Sequence, residues 1–568
     1  MYIEKVPNRN SPPAILLREG WREGKKVRKR TIANLSHWPE EQIETLRLLL
    51  KGKRLAPVDA LFEKISSRHH GHVDAVLMTI KKLGIDKLIS AKPCHERNII
   101  VAVIVARLCK PDSKLAMTRW WNDTTLPELL DLEGVTEDDI YKAMDWLLDR
   151  QKRIEKKLAK RHLKDGDMVL YDLTSSYFEG VTCPLAKIGK SRDRKRNTVQ
   201  VNYGLVASKN GCPVSVDVYD GNTGDPSTLM GQVHKVQEDF GINDMVLVGD
   251  RGMITQKQID ELKGADGIGW ITALKTGAIR KLVDGGALQL DLFDERNLFE
   301  FAHEDFPGER LVACRNPALA RKREHKRESM LEATEKELEK VCAMVERGTL
   351  KGKDKIGVRV GKVINKYKMA KHVVLRIQDK NFSFEFDEKS IAAEAAIDGI
   401  YVIRTCVSKK TMTKEDAVRN YKNLTNVERA FRSLKSIDLM VRPIRHRTED
   451  RVRAHIFLSM LGYYVQRYML EALRPLLFAD EDQEAKATRD PVEPAKRSAK
   501  TLKKVQTKTL EDGSKVHSLG TLLHHMSTIT RDECVQKLAR KENNTFVIDT
   551  KPNPKQQRVY ELLRGIRL

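Results

Sequence analysis

Two aspartates follow apolar, strand-like segments of the sequence. Asp172 ends the run Met168–Asp172, and Asp250 ends the run Met245–Asp250. If the two strands are neighbours, both carboxylates lie at one edge of a rigid sheet, where their mutual repulsion favours a bound cation. Two Mg²⁺ ions, for which Mn²⁺ can substitute, would activate the attacking oxygen and stabilise the leaving oxygen of a phosphoryl transfer. The alternative interpretation is that each aspartate only caps a strand or a turn.

A third acidic residue lies in the helical segment 420–435. Tyr421, Glu428 and Lys435 recur every seven residues, which places them on nearly one stripe of an α-helix. Glu428 would complete a metal site, and Lys435, two turns further on, would bind a phosphate. The alternative is an ordinary amphipathic helix that carries an exposed Glu428–Arg432 pair and buries its apolar face.

This combination of residues resembles the DDE transposases of bacterial insertion sequences, in the group whose RNase H-like catalytic domain is divided by a β-rich insertion. The group carries the signature Tyr-x2-Arg-x3-Glu-x6-Lys, and the matching residues are Tyr421, Leu424, Glu428 and Lys435. Leu424 stands where the family has arginine, so that contact is either missing or supplied by Lys422 or Arg432. The resemblance implies that Asp172, Asp250 and Glu428 are the catalytic residues and metal ligands.

Basic residues near these acids are predicted to contact DNA. Six basic residues and one acidic residue lie between Lys187 and Arg196, shortly after Asp172 in the chain. Arginines also follow the glutamate-bearing helix, although a solvated loop or a charged helix surface explains both groups equally well. The residues predicted to bind DNA are Tyr421, Lys435, Arg432, Lys190, Arg192, Arg194, Arg251, Arg442 and Arg445.

The composition points to a polyanionic partner. The chain has 103 Lys and Arg against 79 Asp and Glu, a formal net charge of +24. Its longest apolar run, Ile99–Ala106, is eight residues, far short of the ~20 that span a bilayer. The N-terminus has no apolar signal core. We therefore expect a cytoplasmic, nucleoid-associated protein that does not enter a membrane.

The periodicity of apolar residues predicts the elements that position these side chains. Helical spacing extends from Asp59 to about Arg161, and from about residue 166 the order β-β-β-α-β-α-β predicts a mixed sheet. We predict a multidomain α/β fold: an RNase H-like mixed sheet with a β-rich insertion, preceded by a mainly helical N-terminal domain. The predicted segments are a basic β-hairpin region 1–58, a helical DNA-binding domain 59–163, a first catalytic part 164–275, the β-rich insertion 276–410, a second catalytic part 411–478, a flexible basic linker 479–515 and a helical tail 516–568.

Recognition of specific DNA ends is expected in the N-terminal region. A helix fits the major groove, so the helices between Asp59 and Arg161 are predicted to read base edges, and a structural helical cap is the alternative. Seven basic residues against two acidic ones fall between Arg18 and Arg30. That segment is either a DNA-contacting β element or a solvated charged hairpin.

The predicted function is that of a transposase. It would bind the terminal inverted repeats of its element, as a homodimer in the synaptic complex, and would cleave DNA and join the freed 3′-OH to target DNA. One alternative is a different RNase H-like nuclease, such as a junction resolvase, which would share the carboxylates. Another is a non-catalytic DNA-binding protein derived from a transposase.

Overall fold

The computed structural model describes residues 1–9, 11–53, 62–193, 195, 197–289, 293–478, 490–492, 498–536 and 545–568. Residues 479–489 and 493–497 of the predicted linker 479–515, and Arg194, lie outside the described residues. The chain forms two units, one of Met1–His69 with Ile529–Lys551, the other of His70–Thr528 with Pro552–Leu568. Both units therefore combine segments that are distant in the sequence.

Seven consecutive helices, between Gly71 and His162, precede the strands of the main sheet. The strands are β1 Tyr2–Val6, β2 Ala14–Glu23, β3 Lys26–Asn34, β4 Phe62–His69, β5 Asp167–Tyr177, β6 Lys187–Ile188, β7 Val199–Ser208, β8 Pro213–Asp220, β9 Met245–Val248, β10 Ile268–Ala273, β11 Leu298–Phe301, β12 Arg310–Arg315, β13 Val373–Ile377, β14 Phe382–Phe386, β15 Ile400–Thr405, β16 Thr530–Gln536 and β17 Thr545–Asp549. The α-helices are α1 Glu40–Leu50, α2 Gly71–Leu83, α3 Ile85–Ile89, α4 His95–Cys109, α5 Lys114–Asn122, α6 Leu126–Leu130, α7 Glu137–Leu148, α8 Gln151–His162, α9 Leu229–His234, α10 Gln256–Lys263, α11 Thr276–Asp284, α12 Pro317–Glu346, α13 Lys353–Tyr367, α14 Glu388–Ala395, α15 Lys414–Lys422, α16 Leu424–Arg432, α17 Glu449–Ala472, α18 Ala499–Thr507, α19 Leu519–Met526 and α20 Pro554–Arg564.

The larger unit is built on a mixed sheet with the order β11-β12-β15-β10-β9-β5-β7, and both β6 and β8 pair with β7. β5, β7 and β8 are antiparallel, whereas β9 is parallel to β5 and β10 is parallel to β9. β7 is buried almost throughout, as expected for a central strand rich in valine and covered on both faces. The predicted strand order from residue 166 to 275 is therefore present in a large mixed sheet.

In the larger unit, helices that precede the main sheet in the sequence pack against a helix that follows it. α17 contacts α4 and α7 as well as β8, and α8 also packs on β8. In α4 every residue from Ile99 to Leu108 is buried. The helices of segment 59–163 thus share one core with the sheet and do not form a unit of their own.

The first helical turn was predicted too early in the chain. Phe62–His69 is a strand, β4, that pairs with β16 across more than 450 residues of sequence. Its backbone partners come from the far end of the chain, so local periodicity gives no sign of them. For the same reason the predicted helical tail 516–568 contains β16 and β17 between its helices.

The insertion predicted to be β-rich is mixed, with more helix than strand. Residues 276–410 include α12, which is 30 residues long, and α13, which is 15. β14, which carries the alternating phenylalanines, pairs only with β13 among the described strands, and these phenylalanines belong to or pack against a hydrophobic cluster that includes Leu338 and Val360 of the two helices. β11, β12 and β15 join the main sheet instead of forming a separate β subdomain. No helix in the described residues is long and apolar enough to cross a membrane.

Candidate active site

The parallel pairing of β5 with β9 places the two aspartates side by side. Leu170 of β5 lies opposite Val248, the last residue of β9. The same register continued by two residues brings Asp172 beside Asp250, on one face because side chains alternate with a period of two. Asp172 was predicted at the end of its strand, but β5 continues to Tyr177. It is the neighbouring strand that ends there, and this leaves the Asp172 side chain room to face a ligand.

Each aspartate also stabilises the local backbone with one oxygen. Oδ1 of Asp250 accepts hydrogen bonds from the N–H groups of Gly252 at 2.9 Å and Met253 at 2.7 Å. Oδ1 of Asp172 accepts one from the N–H of Leu173 at 2.8 Å. Within the described residues, Oδ2 of neither aspartate accepts a hydrogen bond. The capping interpretation and the ligand interpretation are therefore compatible, since they use different oxygens.

Glu428 is carried by α16, whose apolar face packs on β5. Val427, Ala430 and Phe431 are buried on that face, and the ring of Phe431 meets Tyr203 edge-on at 5.9 Å. Glu428 lies on the exposed side of the helix. The amphipathic pattern of α16 thus fixes which side of the helix Glu428 occupies.

The three acids line one cavity of about 280 Å³. Its other lining residues are Tyr401, Tyr421, Lys422, Leu424 and Thr425. Burial and the negative charges of Asp250 and Glu428 raise the pKa of Asp172 to about 7, against lowering contributions from the Leu173 N–H and Arg192. Burial, followed by the charge of Asp250, raises the pKa of Tyr421 to about 12. The cavity therefore concentrates negative charge where a cation is needed to offset it.

The donor set fits a divalent metal ion, although its members do not converge on one point. Three carboxylates supply the hard oxygen ligands that Mg²⁺ and Mn²⁺ prefer. Among the described residues, no group of three His, Cys, Asp or Glu side chains stands close enough together to hold a metal ion. Burial first, and then the charges of Asp250 and Glu428, raise the pKa of Asp172, and a cation beside these carboxylates would favour their charged forms.

Leu424 occupies the signature position that the family gives to arginine, and it is buried against the cavity. Of the two residues suggested as substitutes, Lys422 lines the cavity and Arg432 does not. The ammonium of Lys422 donates a hydrogen bond to the carbonyl of Pro491. Lys422 is therefore placed to supply positive charge at this point, while its ammonium is held by the backbone.

Lys435, which is predicted to bind a phosphate, pairs with a carboxylate in this structure. Its side chain is buried, and Nζ donates to Oδ1 of Asp193 at 3.1 Å. Arg442 donates to the same oxygen, and the N–H of Tyr177 donates to Oδ2 at 2.9 Å. Asp193, which is 1 % exposed, thus joins the end of β5 to the chain that follows α16. In the sequence, Asp193 is the one acidic residue among six basic ones between Lys187 and Arg196, and nothing local indicates these partners.

The other predicted DNA contacts are in different environments. Arg192 pairs with Asp225, and Arg445 pairs with Glu179 at 2.9 Å on the surface. Arg251, Arg432 and Lys190 are exposed. The charge of Arg251 partly opposes the rise in the pKa of Tyr421. The charge of Arg192 partly opposes the rise in the pKa of Asp172 in the same way. Among the described arginines predicted to bind DNA, Arg192 therefore acts on the cavity at Asp172 and Arg251 at Tyr421.

A glycine contact fixes the loop that carries Asp193. A Cβ on Gly221 would lie 1.9 Å from the carbonyl oxygen of Gln200, and one on Gly189 would lie 2.1 Å from that of Gly221. The side-chain amide of Gln200 donates to the Gly221 carbonyl at 2.7 Å. Three stretches that are separate in the sequence therefore meet at one point, where only glycine permits the approach.

Gly221→Ala is expected to lower the free energy of unfolding by about 2 kcal/mol or more, because a backbone atom must move to admit the methyl group. Urea unfolding of the purified protein measures this. Gly224→Ala is the matched control, since a Cβ there meets nothing within 4 Å. Equal stability of the two variants would mean that the close approach is not required.

The sequence matches two families. Residues 178–465, half of the chain, match the family described as "Transposase DDE domain". The chain belongs to the DDE transposases. Residues 3–58 match the "IS1634 family transposase, N-terminal domain", which places this transposase with those of insertion sequences. The matched DDE range contains Asp250 and Glu428 and begins six residues after Asp172.

Solved transposase structures are distant from this one. The piggyBac transposase synaptic complex with hairpin DNA has a TM-score of 0.34 at 8% sequence identity, covering 80% of this chain and 76% of that one. The Mos1 transposase paired-end complex has a TM-score of 0.14 at 11% identity, covering 30% of this chain and 61% of that one. No curated protein matches the sequence.

Proposed function

We propose that Asp172, Asp250 and Glu428 form the catalytic centre of this transposase, in an RNase H-like core. The observation that supports this most is their placement on one cavity although 78 and 178 residues separate them in the sequence. In the main sheet, β5, β7 and β8 are antiparallel, and β9 and β10 continue the sheet parallel to β5. This arrangement supports the RNase H-like assignment of the core.

The three carboxylates would hold two Mg²⁺ ions, for which Mn²⁺ can substitute. Bound there, the ions would activate the attacking oxygen and stabilise the leaving oxygen in DNA cleavage and strand transfer. The protein's own contribution is to fix the acids: β5 and β9 hold two of them in register, and α16 brings the third through its buried face. Arg192 and Arg251 are placed to meet phosphates that approach Asp172 and Asp250.

Chelation of divalent cations is expected to abolish cleavage of end DNA while leaving end binding in place. The binding of DNA phosphates depends on basic residues, whereas cleavage depends on the charge that the carboxylates recruit. Gel-shift and cleavage assays in excess EDTA, followed by addition of Mg²⁺ or Mn²⁺, test this. Cleavage that persists in the chelator would contradict the proposed centre.

The DNA substrate is proposed to be the terminal inverted repeats of the element, followed by target DNA, with a homodimer in the synaptic complex. A resolvase with the same carboxylates would cut but would not join ends. The discriminating experiment supplies a pre-cut end with a free 3′-OH and a supercoiled target plasmid. Joined products support the transposase, and cutting of branched DNA without joining supports the resolvase.

A further inference from the structure

The N-terminal hairpin of the smaller unit has a ribbon, residues 20–32, that extends beyond its backbone pairing with β1. β1 pairs with β2 only as far as Arg18, so beyond this point β2 and β3 form two strands alone. Every described residue of Gly20–Glu23 and of Lys26–Ile32 is exposed. A two-stranded ribbon is marginally stable by itself in water, so an exposed ribbon of this length is suited to a partner.

The ribbon is strongly basic, and the cations at its tip are the ones that form no ion pair among the described residues. Six basic residues and one acidic residue lie between Gly20 and Ile32. Arg28 pairs with Glu23, Arg30 with Glu19 and Lys29 with Glu4 of β1, but these pairs are at least partly exposed and contribute little. In the part of the chain that the structure describes, no carboxylate pairs with the three tip cations, Arg22, Lys25 and Lys26.

Each face of the ribbon combines cations with an exposed apolar side chain. The cross-strand pairs Trp21–Arg28 and Glu23–Lys26 lie on one face, and the pair Arg22–Val27 lies on the other. Trp21 is 46 % exposed and Val27 62 %. A DNA groove presents phosphates, which bind cations, beside base edges and sugars, which apolar side chains can contact. Each face of the ribbon carries both kinds of group.

We propose that ribbon 20–32 inserts into the major groove of duplex DNA and is the part of the protein that recognises element ends. This rests on the DNA-processing function proposed above. A groove about 12 Å wide admits a two-stranded ribbon as well as a helix. The helices predicted for this role are less suited to it, because α4 is buried along its whole apolar length and α8 packs on the sheet.

The test uses the full-length protein in EDTA, so that binding is measured without cleavage. The triple variant Arg22→Ala/Lys25→Ala/Lys26→Ala is titrated against a duplex with the element's end sequence and against a scrambled duplex. Loss of three phosphate contacts is expected to lower the slope of log affinity against log salt by about 2.7 and to weaken binding to both duplexes by about tenfold or more at moderate salt. An unchanged slope would overturn the proposal.

A second variant and a matched control separate specific recognition from general charge. Trp21→Ala is expected to reduce the preference for end over scrambled DNA with little change in the salt slope, because it removes no charge. The control Lys81→Ala/Lys82→Ala/Lys87→Ala removes the same charge from exposed positions on α2 and α3. A control that weakens end binding as much as the ribbon triple would overturn the proposal and favour the helices.

The groove itself is tested with duplex RNA of the same sequence. The major groove of A-form RNA is too narrow for a ribbon, so the wild type is expected to prefer the DNA duplex, and this preference should shrink in the ribbon triple. Equal binding of both duplexes by the wild type would overturn the groove assignment. Failure of the proposed catalytic centre would leave all these binding results unchanged, because they are read without metal.

Discussion

Asp172→Asn, Asp250→Asn and Glu428→Gln are each expected to reduce DNA cleavage and strand joining by about a thousandfold or more, with end binding retained. Each change removes one ligand charge from a centre whose members act together. The loss of one residue is therefore expected to reduce the rate almost as much as the loss of all three. Quantitative cleavage assays beside gel shifts on the same preparations measure both effects.

The structure explains why these substitutions should leave the fold intact. The asparagine side chain keeps an oxygen that accepts the backbone N–H bonds now made by Oδ1 of Asp172 and Asp250. Glu428 is exposed on α16, so its amide requires no new burial. Near-wild-type cleavage by any one variant would remove that residue from the proposed centre.

Asp193→Ala is expected to lower the free energy of unfolding by about 3 to 5 kcal/mol, since it leaves the cations of Lys435 and Arg442 without their shared buried carboxylate. The N–H of Tyr177 loses its acceptor as well. Cleavage should fall with stability, because the same carboxylate connects the strand of Asp172 to the chain after α16.

Glu179→Ala is the control for that measurement. Glu179 is also a carboxylate paired with an arginine near the same loop, but its pair with Arg445 is exposed, so the cost should stay below about 1 kcal/mol. Chemical denaturation of both variants decides the matter. Similar small costs for the two would show that the Asp193 network does not hold the site together.

The strands before the two aspartates were predictable because each contains a short apolar run, Met168–Tyr171 or Met245–Val248, next to turn residues. Such a run is hydrophobic on both faces, so local sequence suffices to find it. The placement of Asp250 follows from the end of β9 in the same way. Periodicity also identified the buried face of α16 and therefore the side on which Glu428 lies.

Features set by distant partners were not predictable. β4 is a strand because β16 pairs with it from the other end of the chain. Lys435 is buried because of Asp193, and nothing in the local helix pattern links them. The insertion was expected to be β-rich, but its β13–β14 hairpin shares a hydrophobic cluster with the long helices α12 and α13. The helices of segment 59–163 were expected to stand apart, yet they share the core with α17 and β8.

Binding of Mn²⁺ to the full-length protein tests directly whether Asp172, Asp250 and Glu428 share one metal site. It reports the carboxylates as ligands independently of activity. Electron paramagnetic resonance of free Mn²⁺ is followed during titration of the wild type, the three carboxylate variants and Glu179→Gln. We expect saturable binding of two ions by the wild type and by Glu179→Gln, and weakened binding by Asp172→Asn, Asp250→Asn and Glu428→Gln alike. Wild-type binding by any of these three variants would contradict a shared centre.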